Sequence, residues 1–199
     1  MLKVGLTGNY CSGVDEIAEI YKNLQIPIFE VDLIIKFMFY NNSESIKKIQ
    51  KEFGKIVFTN NILDMVAFNE PTKFRRLLKI IELDLIVAYE RWRQVNQKAK
   101  FTIFKSSILF ESNWNNIMNL NISVFKPNGL RVEAIQRKNK MKSSDAYSLI
   151  DTEMDVFQKN RLSDYTINNY PAYCDSVEKQ IIAINKSIMT KTYSSIIST

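Results

Sequence analysis

The chain has 199 residues, 46% hydrophobic and 24% charged, a balance that fits one globular domain with a sizeable core and leaves little room for linkers or disorder. It contains no histidine, which excludes Ser-His and Cys-His catalysis and any His-ligated metal, and its two cysteines, Cys11 and Cys174, are too few for a metal cluster or a disulfide framework. No apolar run approaches a membrane span, and no signal or transit segment is visible, so the expected place is the cytoplasm or the interior of a particle, not a secreted one.

The net charge of +6 admits a polyanionic partner such as nucleic acid. A solvated, lysine-rich surface accounts for it as well, because the basic clusters Arg75-Arg76, Lys98–Lys105 and Arg137–Lys142 are short.

In chain order, Leu2–Leu6 reads as a buried strand, Thr7–Gly13 as a glycine-bounded loop, and the segment from Val14 as an amphipathic helix. Gly8 and Gly13 stand at the spacing of a phosphate-binding loop, G-x-x-x-x-G-K-[ST]. Such a loop turns backbone N–H groups and a helix N-terminus towards an anion. A lysine then meets the outer phosphates and a hydroxyl holds Mg²⁺. Here the lysine position is Val14 and the hydroxyl position is Asp15. The set Gly8, Ser12, Gly13, Val14 and Asp15 therefore reads as a vestigial nucleotide-binding loop, and no metal site is expected.

Ile26–Val31 follows as a strand, with Pro27 near its start where a missing N–H is tolerated. Asp32 opens an apolar helix to Tyr40, Ser43–Phe53 is a polar helix stopped by Gly54, and Thr72–Gln97 reads as one long helix. Phe101–Phe104, Ile122–Phe125 and Tyr165–Ile167 are the remaining strands. Helices are predicted near Ser112–Met118, Asn128–Arg137, Ser143–Gln158 and Cys174–Ile188. Strands alternating with helices imply an α/β fold whose parallel sheet is covered on both faces. Trp92 and Trp114 read as helix-face packing, with partner anchors as the alternative, and the tail from Lys191 reads as a frayed end or a docking segment.

The order of short motifs resembles dephospho-coenzyme A kinase from Met1 to about Ile182. MLKVGLTG is similar to that family's opening, EVDLIIK to its D-A-D-x-I-A-R, and ILFES to its P-L-L-F-E. QRKNKMKSSDA resembles the arginine-bearing lid, and SDYTINN resembles A-D-x-V-I-x-N. The resemblance implies a three-layer P-loop kinase fold in a single domain, 1–199, with a helical acceptor lobe at about 32–99 and a lid at about 130–155. It also implies transfer of a phosphoryl group from ATP to a ribose 3′-hydroxyl.

Carried across, Asp32 is the acid at the acceptor hydroxyl, and Arg137 or its neighbour Lys138 is the lid cation. Glu111 and Asn169 match two further family positions. Asp32 as the carboxylate that opens its helix, and Arg137 as a solvated surface cation, are the alternatives. The departures fall where phosphate is handled. Besides Val14 and Asp15, Asn9 and Cys11 replace glycines, Lys105-Ser106-Ser107 replaces D-x-P, and Glu153 replaces a lid-helix glutamine.

A working enzyme would need a substitute cation, for which Lys3, Lys36 and Lys105 are candidates. The expectation is a catalytically silent relative that needs neither ATP nor Mg²⁺ and serves among other proteins of a larger assembly, a virion or ribosome-like particle. The alternative is an active kinase that uses both.

Overall fold

The computed structural model describes residues 1–40, 44–54, 58–59, 62–63, 71–173 and 175–197. The chain divides into two compact units, Met1–Ile28 with Asn96–Thr199, and Phe29–Val95.

Strands β1 (Leu2–Gly8), β2 (Ile28–Glu30), β5 (Phe101–Lys105), β6 (Leu120–Phe125) and β7 (Tyr165–Asn168) form a five-stranded parallel sheet in the order β2-β5-β1-β6-β7. The central strand β1 pairs with both neighbours, Leu6 lying opposite Lys105 on one side and Ile122 on the other. From Val4 to Gly8 it is buried on both faces, Val4 and Leu6 on one and Gly5 and Thr7 on the other.

Val4 and Leu6 meet Ile103, Ile122, Val124 and Ile167 in the main core. That core is closed by Ile17, Ala18 and Tyr21 of α1 (Val14–Asn23) and by Ile181, Ile184 and Ile188 of α8 (Val177–Ile197). On the opposite face a side chain at Gly5 would stand 2.6 Å from both Asn121 Oδ1 and Leu109 Cδ2, so glycine is required for the close approach of that layer. Trp114 is buried there, edge-on to Phe104 at 5.6 Å between centroids.

The second unit holds α2 (Val31–Tyr40), α3 (Glu44–Phe53), a short antiparallel pair β3 (Phe58–Thr59) and β4 (Ile62–Leu63), and α4 (Pro71–Val95). Leu77, Ile81, Leu85 and Tyr89 recur at helical spacing and form the buried stripe of α4. Phe29, Tyr89 and Trp92 make an aromatic group within the unit.

Several predicted elements are corrected. Ser112–Met118 is not a helix but a single 3-10 turn, Trp114–Ile117, entered through Asn113 in the left-handed region at φ 60°. Ser143–Gln158 is two helices, α6 (Ser143–Asp151) and α7 (Val156–Arg161). The apolar period crosses the break, yet Asp155 caps α7 by accepting from the Gln158 N–H at 2.9 Å. The last helix begins at Val177 and runs to Ile197, so the tail from Lys191, expected as a frayed end or a docking segment, is helical as far as Ile197. The β3–β4 pair was not foreseen, because two-residue strands carry no period. Ser43 and Cys174 lie outside the described residues. No helix among the described residues is long and apolar enough to cross a membrane.

Candidate functional site

The predicted loop is present at the C-terminal end of β1. Gly13, at φ 93°, sits at the N-cap of α1, and Ser12 N–H closes a turn on Asn9 O at 2.9 Å. Cys11 also lies in the left-handed region, at φ 61°, a conformation that glycine adopts freely and a side chain adopts at a cost of roughly 1–2 kcal/mol. The loop thus has a glycine-like backbone at a residue that carries a side chain. Ser12 is fully buried, and a side chain at Gly8 would stand 2.4 Å from its Oγ.

Asp15 and Glu16 occupy the first turn of α1, where the helix dipole favours negative charge. Val14 packs against the main core and offers no polar atom to an anion. Lys105, at the C-terminal end of β5, is buried and forms an ion pair with Asp15. Of the substitute cations whose side chains are described, Lys3 and Lys105, Lys105 is the one brought to the loop. Lys3 sits at the opposite end of β1, five residues or about 17 Å of strand from Gly8. The Lys36 side chain lies outside the described residues.

The other wall of the site comes from α5 (Asn128–Asn139), α6 and the connection to α7. Arg131, only 1% exposed, donates from Nε to Tyr10 O at 3.0 Å and from Nη1 to Asn128 Oδ1 at 2.9 Å, and its Nη2 is ion-paired with Glu153 Oε2. The same carboxylate accepts the Tyr10 N–H through Oε1 at 2.6 Å. Asn9 Nδ2 donates to Met154 O at 2.8 Å. Tyr10 and Cys11 also pack on the apolar cluster Val132, Ile135, Ala146 and Ile150.

Both backbone groups of Tyr10 are thereby answered by side chains of α5 and of the α6–α7 connection. At the other end of the loop, Asn169 Nδ2 donates to Ser12 O at 2.9 Å. Burial pushes the Cys11 thiol up, against the opposing fields of Lys138, Lys126 and Arg131, so the side chain is a filler rather than a thiolate.

The predicted catalytic residues fall in different places. Arg137 is exposed near the end of α5, its Nε donating to Glu133 O of its own helix at 3.3 Å. Lys138 is the neighbour that reaches the loop, with Nζ 4.8 Å from the Tyr10 ring centroid. Asp32 lies in the first turn of α2, in the second unit. Glu111 Oε1 is ion-paired at 2.9 Å with Lys159, which is 2% exposed and also donates to Ser107 O at 2.9 Å.

Arg131 and Lys159 were not singled out from the sequence. Arg131 did carry a signal: it shares the buried stripe of α5 with Val132 and Ile135, an arginine in phase with apolar positions.

The residues present do not fit Mg-ATP in the usual manner of such a loop. The position of the phosphate lysine is apolar, the metal-hydroxyl position is a carboxylate tied to Lys105, and the Tyr10 amide is held by Glu153.

The dephospho-CoA kinase family profile matches residues 2–174. A dephospho-CoA kinase of Listeria monocytogenes is 22% identical over 193 residues, covering 92% of this chain and 95% of that protein. Among solved structures, a Thermus thermophilus protein superposes with a TM-score of 0.76 at 17% identity, over 94% of this chain and 97% of its own. The dephospho-CoA kinase of Campylobacter jejuni superposes with a TM-score of 0.62 at 19% identity, over 95% and 98%.

Proposed function

The chain belongs to the dephospho-CoA kinase family, and within it we propose a catalytically silent member that keeps the fold as a binding or structural subunit of a larger assembly. The observation that carries this reading is the fastening of the loop by its own lid. The Glu153 carboxylate holds the Tyr10 N–H while Arg131, buried and paired with that carboxylate, holds the Tyr10 carbonyl. To open the site, the chain must give up the Arg131–Glu153 ion pair and both backbone hydrogen bonds of Tyr10, each of the latter made to a charged group and worth about 1.5–3 kcal/mol. Beside it, the lysine that would repay that cost through phosphate contact is replaced by Val14.

Phosphoryl transfer depends on positioning and electrostatic stabilisation, and one preorganised electrostatic donor is worth about 10²–10³ in rate.

One observation favours the second reading, an active kinase using ATP and Mg²⁺ on dephospho-CoA. Lys105 stands at the loop, bound to Asp15, and could act as a relocated cation with Asp32 as the acceptor's base. A coupled assay with ATP, Mg²⁺ and dephospho-CoA separates the two. The silent reading expects no turnover above background. Turnover that is lost in both Lys105→Ala and Asp32→Asn would replace it with the enzyme. For the assembly, purification from the native source is expected to bring the chain down in a complex, and a free monomer would count against it.

A further inference from the structure

We infer that the surface formed by Lys126, the C-terminal end of α5 and the α5–α6 connection binds the phosphodiester backbone of a nucleic acid. Residues 126–142 carry six cations (Lys126, Arg131, Arg137, Lys138, Lys140 and Lys142) against the one carboxylate of Glu133, a net charge of +5. Arg131 is buried and spent on Glu153. The other five line the surface: Arg137, Lys138, Lys140 and Lys142 are exposed and Lys126 is half-buried.

None of these five is ion-paired among the described residues. Lys126 follows β6, eleven residues before Arg137, and the loop lies within reach of the charges at both ends of α5, Lys138 Nζ standing 4.8 Å from the Tyr10 ring centroid and Lys126 also acting on the Cys11 thiol. The chain then turns outward through Lys140, at φ 52°, and presents Lys140 and Lys142 beyond the end of the helix.

Unpaired cations of one surface repel one another, and an anion that neutralises several at once relieves the repulsion. The extent of the surface selects the kind of anion. The cations flank α5, a 12-residue helix about 18 Å long, at both ends. That length matches roughly five successive phosphates of one strand at 3.4 Å each, more than one triphosphate supplies. Backbone recognition of this kind is independent of sequence and steeply dependent on salt. The inference does not rest on the silent-kinase reading, because Lys140 and Lys142 take no part in the loop.

Fluorescence anisotropy tests it on the full chain with two labelled probes of about 20 nucleotides, a single-stranded RNA and a DNA duplex, each far longer than the five phosphates required. With about four phosphates neutralised, RNA affinity should fall about 50-fold between roughly 50 and 200 mM salt. The ratio of RNA to DNA affinity identifies which nucleic acid is the better ligand. The variant Lys140→Glu/Lys142→Glu should lose at least about tenfold in affinity and flatten the salt slope by about 1.4. The control variant Lys47→Glu/Lys48→Glu, exposed on α3 and equal in charge change, should lose much less. Circular dichroism and melting temperature should be unchanged in both variants. Absence of salt-dependent binding, an equal loss in the control, or inorganic triphosphate binding as tightly as the RNA would each overturn the inference.

Discussion

Tyr21 is the side chain whose burial has the clearest consequence for stability. It is fully buried in the main core, and its hydroxyl has no hydrogen-bond partner among the described residues. Burial pushes its phenol well above the usual value of about 10, because the phenolate cannot be solvated there. The folded state thus holds the proton more tightly than the unfolded state. The stabilisation is complete below pH about 10, where the unfolded phenol titrates, and is lost as pH rises beyond it, by at most about 1.4 kcal/mol per pH unit. Urea unfolding of the unmodified protein at several alkaline pH values should show this decline. Tyr21→Phe should flatten it and leave stability near neutral pH unchanged or raised by up to about 1 kcal/mol, since an unpaired buried hydroxyl is removed. A steeper alkaline loss in Tyr21→Phe would show that another group is responsible.

The break between α6 and α7 belongs to the scale of elements. Apolar residues recur across Ser143–Gln158 without interruption, so their period alone predicts one helix. The chain instead turns at 152–155, which brings Glu153 and Met154 onto the loop and lets Asp155 restart the helix. Asp155 is exposed and makes one capping bond, so Asp155→Ala should cost about 1 kcal/mol. For a chain of this size that is a drop of about 2–4 °C in melting temperature. A change below half a degree would mean that the loop contacts, not the cap, set the break.

At the scale of the whole molecule, a ligand that binds only the folded state raises stability by RT ln(1 + [L]/Kd). Millimolar Mg-ATP on a loop with a dissociation constant a hundredfold lower would add about 2.7 kcal/mol, or roughly 5–10 °C in melting temperature. The fastened loop should show no such shift. Val14→Lys/Asp15→Ser, which restores the lysine and hydroxyl of the phosphate-binding pattern, should show a measurable one. A shift of several degrees in the unmodified protein would mean that Lys105 and the loop accept nucleotide as they stand.

The order of strands and helices, the position of the loop and the family were legible in the chain itself, because each depends on local patterning: a buried run at Leu2–Leu6, glycines at positions 8 and 13, and short motifs in order. That Val14 stands where the phosphate-binding pattern has lysine was legible for the same reason. What fills the site instead was decided only by the tertiary structure. Lys105 meets Asp15 because β5 and β1 are neighbours in register, although the two residues are ninety apart in sequence. Glu153 and Arg131 meet on Tyr10 because two helices fold back over a loop more than a hundred residues earlier in the chain. Ion pairs and backbone hydrogen bonds of that range leave no period in a sequence. They follow from which ends of which elements the sheet brings together, and from the need to give a buried charge such as Arg131 a partner wherever the fold places one.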